Sequence, residues 1–251
     1  MRAAAIQHDI VWADREANFA RLRPMVAEAA SNGARLVVLS EMFSTGFVVD
    51  RDDIGEPMDG PSSSFLRDMA REHGVWVAGS CPETAVDDPR PYNSLVLAAP
   101  DGVLHRYSKI HPFTYGGEDR HFRPGQSHVT VDVEGMRVSL FVCYDLRFAD
   151  EFWGLADTTD MYIVPANWPA GRREHWMTLL RARAIENQAW VVGVNRVGSG
   201  GGLDYCGDSR IIDPLGNETV ARAGECIVYA DVTKESVDGT RDRFPFLRDR
   251  R

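Results

Sequence analysis

Short apolar runs alternate along this chain with longer segments in which apolar positions recur every three or four residues. Residues 2–7, 35–39, 75–80, 160–165 and 189–194 read as strands, while 15–32, 62–73 and 173–187 carry helical spacing. In the first helix Ala17, Leu22, Met25, Val26 and Ala29 fall near one face, the pattern that packs a helix on a sheet. Residues 93–99 and 103–107 flank Pro100-Asp101-Gly102 and predict a β-hairpin. A second hairpin turns at Glu134-Gly135, its outgoing strand carrying Cys143, and hairpin-like strands follow from Ser209 to Asp231. Helices alternating with apolar strands predict an α/β fold, and the repeated hairpins predict mixed sheets.

Three of the apolar runs end in reactive residues. Val138-Ser139-Leu140-Phe141-Val142 runs into Cys143, Leu36-Val37-Val38-Leu39-Ser40 into Glu41, and Val103-Leu104-His105-Arg106-Tyr107-Ser108 into Lys109. A thiol where a buried strand gives way to a polar turn is held rigidly yet open to substrate, as a covalent nucleophile requires. Each residue alone has a plainer reading: free cysteine packs as a small hydrophobe, glutamate caps a turn, lysine is a solvated charge. A carboxylate, an ammonium and a thiol all delivered at strand ends form the pattern of a converging site.

The segments Leu36 to Phe43, Tyr107-Ser-Lys109-Ile-His111 and Cys143-Tyr-Asp-Leu-Arg-Phe148 resemble, in order, the three motifs of the nitrilase (carbon-nitrogen hydrolase) superfamily. Pro165-Ala-Asn167-Trp-Pro169 and Leu179 to Gln188 are similar to segments of its bacterial omega-amidase-like branch, so the resemblance covers almost the whole chain. Ser40 stands where many members have proline, and Ala149-Asp150 where Pro-Glu is common. The resemblance implies a four-layer α-β-β-α sandwich of two mixed sheets, paired as a homodimer or a higher homo-oligomer. It implies Cys143 as nucleophile, Glu41 as general base, and Lys109 with the Tyr144 N–H as holders of the oxyanion. Glu118 aligns with a glutamate that orients substrate and lysine. No cofactor is implied. A free thiol ionises near pH ~8.5, so Lys109 as a cation and Glu41 as a base are expected to favour the thiolate.

Arg147, Asn167, Trp168 and Arg172 follow strand ends, where α/β proteins place ligand contacts, and are the substrate-binding candidates. An omega-amidase must recognise the far carboxylate of a short dicarboxylic monoamide, and arginine does so bidentately. Arg147 can equally serve as the ion-pair partner of Asp145 or Asp150. Phe43, Phe47 and Trp168 are candidates for the walls of a small pocket.

With 251 residues and no linker or internal repeat, the chain reads as a single domain, 1–251. A net charge of -9 argues against nucleic-acid or membrane-surface partners and leaves a small-molecule amide as the natural substrate. No apolar stretch approaches the ~20 residues of a membrane span, and the first residues read as a strand and not as a secretory signal. Cys81, Cys143, Cys206 and Cys226 are widely spaced with no C-x-x-C pair, which predicts free thiols in a reducing cytoplasm. The scattered histidines predict no metal site. Ser199-Gly-Gly-Gly202 lacks the Gly-Lys-Ser/Thr of a phosphate loop and reads as a flexible connection. No G-x-S-x-G elbow is present.

The expected reaction is hydrolysis of a small omega-amide such as 2-oxoglutaramate or succinamate to the acid and ammonia through a thioester. An N-carbamoyl amide hydrolase or a nitrilase would use the same trio. A catalytically idle binding or scaffold protein on the same fold is the reading from another class.

Overall fold

The alternating pattern folds into two mixed sheets packed face to face. In the computed structural model, residues 1–51, 53–86 and 88–250 are described. The first half contains β1 (Arg2–Gln7), α1 (Arg15–Ser31), β2 (Leu36–Val38), β3 (Glu56–Pro57), α2 (Pro61–His73), β4 (Trp76–Thr84), β5 (Tyr92–Ala98), β6 (Leu104–Ser108) and α3 (Glu118–His121). The second contains β7 (Thr130–Val133), β8 (Met136–Leu140), α4 (Ala149–Leu155), β9 (Met161–Ala166), α5 (Arg173–Asn187) and β10 (Trp190–Asn195). It ends with β11 (Val197–Gly200), β12 (Leu203–Cys206), β13 (Arg210–Ile212), β14 (Glu218–Val220), β15 (Cys226–Asp231) and α6 (Lys234–Arg243).

One sheet runs β15-β1-β2-β4-β5-β6 with β3 beside β4, and the other runs β14-β13-β10-β9-β8-β7. Each has a parallel centre, β1-β2-β4 and β8-β9-β10, flanked by antiparallel strands. The strand period of two divides the core. Ala3, Ala5, Leu36, Val38, Leu95 and Leu97 face Val138, Leu140 and Val191 between the sheets. Ala4, Ile6, Val37, Val77 and Val96 turn the other way, under Phe19, Leu22 and Val26 of α1 and Phe65, Leu66 and Met69 of α2. Across the second sheet, α5 seats Leu180 on Gly193 of β10, where an added Cβ would lie 2.4 Å from Leu180 Cδ1. The result is an α-β-β-α sandwich.

Several local expectations are corrected. On α1 the buried face is Asn18, Phe19, Leu22, Val26 and Ala29, while Ala17 and Met25 are half-buried. Phe19 stacks on Phe65 at 4.7 Å, which sets this face. The strand before Cys143 ends at Leu140, and Cys143 opens a 3₁₀ turn. Strands from Ser209 to Asp231 do not form one hairpin set. β13 and β14 pair, but β15 crosses to the first sheet and pairs with β1, because its register partners lie at the other end of the sequence. The run 199–202 is not a loose connection: Val197 to Cys206 forms the β11–β12 ribbon, and Gly201 and Gly202 make its turn with φ +58° and +76°.

Candidate active site

Sequence places Glu41 just past β2, Lys109 just past β6, and Cys143 just past β8, and the sandwich brings the three together. Cys143 has φ +46°, a left-handed conformation costing a non-glycine residue about 1–2 kcal/mol. Asp145 holds it there. This fully buried carboxylate accepts from Val142 N (3.0 Å) through Oδ2, fixing the turn around the thiol. It also accepts from Tyr107 Oη (2.8 Å) and His111 N (2.9 Å), so the strand end delivering Lys109 is tied to the turn carrying Cys143.

Lys109 Nζ donates to Glu41 Oε1 at 3.0 Å and Glu118 Oε2 at 2.8 Å, and none of the three side chains is more than 1% exposed. Asn93 Nδ2 donates to both carboxylates, at 2.8 Å to Glu41 and 3.0 Å to Glu118. Asn167 closes the other side of Glu41, its N–H donating to Oε2 (2.8 Å) and its Nδ2 to the Glu41 carbonyl (2.6 Å). Glu41 also lies near enough to the Cys143 thiol to raise it electrostatically. Asn93 escaped the sequence reading; its signal is a polar residue near the start of the apolar strand 93–99.

Burial would lower the Lys109 ammonium, but Glu118 and Glu41 outweigh it and hold it above the ordinary lysine value. Glu118 is raised by burial and by Glu41, with Lys109 opposing. Burial pushes the Cys143 thiol well up, Glu41 adds to this, and Lys109 opposes it. The expectation of a favoured thiolate is therefore corrected: Lys109 is committed to two carboxylates, and burial with the nearby Glu41 carboxylate favours the protonated thiol.

Above Cys143 lies a cavity of about 380 Å³, and Phe47, Arg147, Asn167, Trp168 and Arg172 all line it. Arg147 stacks over Trp168 at 4.7 Å and meets His175 Nδ1 at 3.2 Å; among the described residues it pairs with neither Asp145 nor Asp150. Arg172 lies over the Phe113 ring at 5.3 Å and has no carboxylate partner among the described residues. Trp168 is held by Asn195 Oδ1 on its N–H and by the Arg172 carbonyl on Nε1, both at 2.8 Å. Phe47 sits over Lys109 Nζ at 5.4 Å. Phe43, a candidate wall, is instead buried beneath α1 and α2. Tyr144 lines the cavity, and its N–H lies in the leading turn of a 3₁₀ helix, where no intrahelical acceptor exists. Tyr205 from β12, its hydroxyl pushed up to about 12 by burial, and Trp12 from the β1–α1 loop also line the cavity; neither was expected.

This arrangement presents a thiol beside a hydrogen-bonded carboxylate, a buried cation and two cationic groups on the cavity wall. The carbon-nitrogen hydrolase family model matches residues 2–242. An omega-amidase YafV of Yersinia enterocolitica is 36% identical over 99% of this chain and 96% of its own length. A 2-oxoglutaramate amidase of Bacillus subtilis is 31% identical, over 98% and 96%. The crystal structure of XC1258 from Xanthomonas campestris, a CN-hydrolase superfamily protein with an arsenic adduct in its active site, superposes with a TM-score of 0.95. It shares 35% identity, over 100% of this chain and 97% of that one. With the family match running nearly end to end over the residues that build this cluster, the chain belongs to the carbon-nitrogen hydrolase family.

Proposed function

We propose that this protein hydrolyses the terminal amide of a short omega-amido acid, such as 2-oxoglutaramate or succinamate, to the acid and ammonia. The observation that carries the reading is the Cys143–Glu41–Lys109–Glu118 cluster at a cavity bearing Arg147 and Arg172. Relatives described as omega-amidase and 2-oxoglutaramate amidase support the substrate class.

Cys143 Sγ attacks the amide carbon as Glu41 takes the thiol proton. Lys109 and the Tyr144 N–H stabilise the oxyanion, single donors of this kind being worth about 10²–10³ in rate. Glu41 returns the proton to nitrogen, the C–N bond breaks, and ammonia leaves a thioester on Cys143. Water, deprotonated by Glu41, attacks the thioester and releases the carboxylic acid and the thiol. Glu118 positions Lys109. Arg147 and Arg172 serve the far carboxylate, Asn167 orients Glu41, and Trp168 and Phe47 wall the acyl chain.

Four free cysteines suit a reducing cytoplasm as the place of action. Exposed Ile185, Leu215, Phe244 and Phe246 supply apolar surface for a homo-oligomer. Among the described residues no helix is long and apolar enough to cross a membrane. The test is ammonia release by wild type and Cys143→Ala from 2-oxoglutaramate, succinamate, glutamine, N-carbamoyl amines and short nitriles. Release from omega-amides that vanishes in the variant supports the reading; preference for carbamoyl amines or nitriles would overturn it.

A further inference from the structure

Trp12 lies far from Cys143 in sequence, in the loop between β1 and α1, yet its indole lines the same cavity beside Gly201, Leu203 and Tyr205. Glycines make the slot that holds it. An added Cβ would lie 2.8 Å from Trp12 Cε3 at Gly46, 2.6 Å from Cε3 at Gly200, and 2.8 Å from Cη2 at Gly201. Backbone from two separate segments therefore packs directly on the indole, at distances that side-chain carbons do not tolerate. This accounts for Gly200 and Gly201, whose requirement is close approach to a ring, while Gly202 serves the turn with φ +76°.

The slot is fastened on both sides. Fully buried Asn18 accepts from Val11 N through Oδ1 and donates to Val11 O and Ser44 O through Nδ2, each at 2.8 Å. Ala13 N donates to Thr45 O at 2.8 Å, locking the Trp12 loop to the segment carrying Gly46. On the ribbon side Arg196, also fully buried, donates to Asp9 Oδ1 (2.8 Å), Ile10 O (3.2 Å) and Ser199 O (3.1 Å). Its guanidinium stacks on the Tyr205 ring at 4.6 Å. Loop, ribbon and Tyr205 thus form one rigid piece. Trp12 nevertheless keeps 37% of its surface uncovered, so the slot presents the ring to what enters the cavity instead of burying it in a core.

We propose that Trp12, held in this glycine slot, is the specificity-determining wall of the Cys143 cavity and restricts the reacting acyl group to a short, slender chain. The substrate terms of this proposal rest on the amidase reading; the steric claim does not. One added methylene in an apolar pocket is commonly worth 10–200-fold in selectivity, so removal of an indole should register clearly.

The experiment compares alkylation of Cys143 by iodoacetamide and by the bulkier N-phenyliodoacetamide, read by mass spectrometry on the Cys143 peptide. In each case the Sγ–C bond forms, the C–I bond breaks, iodide leaves, and the thiol proton passes to buffer. Wild type should discriminate against the bulky reagent, and Trp12→Ala should reduce that discrimination at least about tenfold. Trp12→Phe should give an intermediate ratio, and it carries the test should the alanine variant not fold. In parallel, kcat/KM for adipamate monoamide relative to succinamate should rise in the same order. An unchanged reagent ratio, or an equal fall in both alkylation rates, overturns the proposal. Because alkylation needs no turnover, that result is distinct from absence of ammonia release in wild type, which overturns the amidase reading alone.

Discussion

Replacing Lys109 with methionine removes the one cation among four buried reactive groups and leaves Glu41 and Glu118 facing each other across the shared Asn93 amide. Breaking a buried ion pair by deleting one partner costs about 3–5 kcal/mol, because the remaining charge is uncompensated. For a chain of this size each kcal/mol moves the melting temperature by about 2–4 °C, so Lys109→Met should melt about 6–20 °C below wild type at neutral pH. Burial and Glu41 already raise Glu118, and without Lys109 they raise it further. The folded variant then binds a proton that the unfolded chain does not, so its stability falls with rising pH. The deficit should be largest in mild alkali and shrink as pH falls toward the ordinary carboxylate range. Lys109→Met/Glu118→Gln removes the like-charge conflict and should recover a substantial part of the loss. Thermal melts by circular dichroism across this pH range decide the matter. Single and double variants melting alike at every pH would refute the claim that carboxylate charge is the cost.

Three further outcomes follow from the same geometry. Thiolate absorbance, taken as wild type minus Cys143→Ala, should stay flat through the ordinary thiol range, since burial and Glu41 raise this group; a rise near neutrality would contradict the protonated resting state. Asp145→Asn turns one of two accepting oxygens into a donor, facing either Tyr107 Oη and Val142 N or His111 N, and should cost about 1–3 kcal/mol in denaturant melts. It should also lower kcat more than it alters KM, because the Cys143 turn loosens. His111 is raised by its hydrogen bond to Asp145, so its stabilisation is full below its unfolded value of about 6.5 and is lost as pH rises through the higher folded value. His111→Gln should flatten the fall of melting temperature over that window.

The convergence of Glu41, Lys109 and Cys143 was legible because each ends an apolar run, and strand ends of a sandwich fix side chains against one another. Periodicity alone indicated an α/β fold with mixed sheets, and the four layers came from the family resemblance; in the structure Ala3 and Ala5 face the second sheet while Ala4 and Ile6 face the helices. Partner choice between distant strands was not, and β15 joined β1 without any local mark of it. The glycine run misled because glycine serves both looseness and close packing, and only Trp12 lying against it tells the two apart. The thiol's ionisation was misjudged because spacing shows which charges are near but not how deeply they are buried. Asn93, Tyr205 and Trp12 were missed since polar and aromatic residues carry no motif until the fold turns Asn93 onto the two carboxylates and the two rings toward the cavity.

The central claim is that Cys143 carries the acyl group during turnover. Acid-quenching the enzyme while it turns over succinamate, followed by mass spectrometry of the Cys143 peptide, tests it most directly. The account predicts an adduct of the mass of the substrate's acyl group on that peptide, and no ammonia release by Cys143→Ala. Undiminished ammonia release in that variant, or an acyl adduct on another residue, would contradict it.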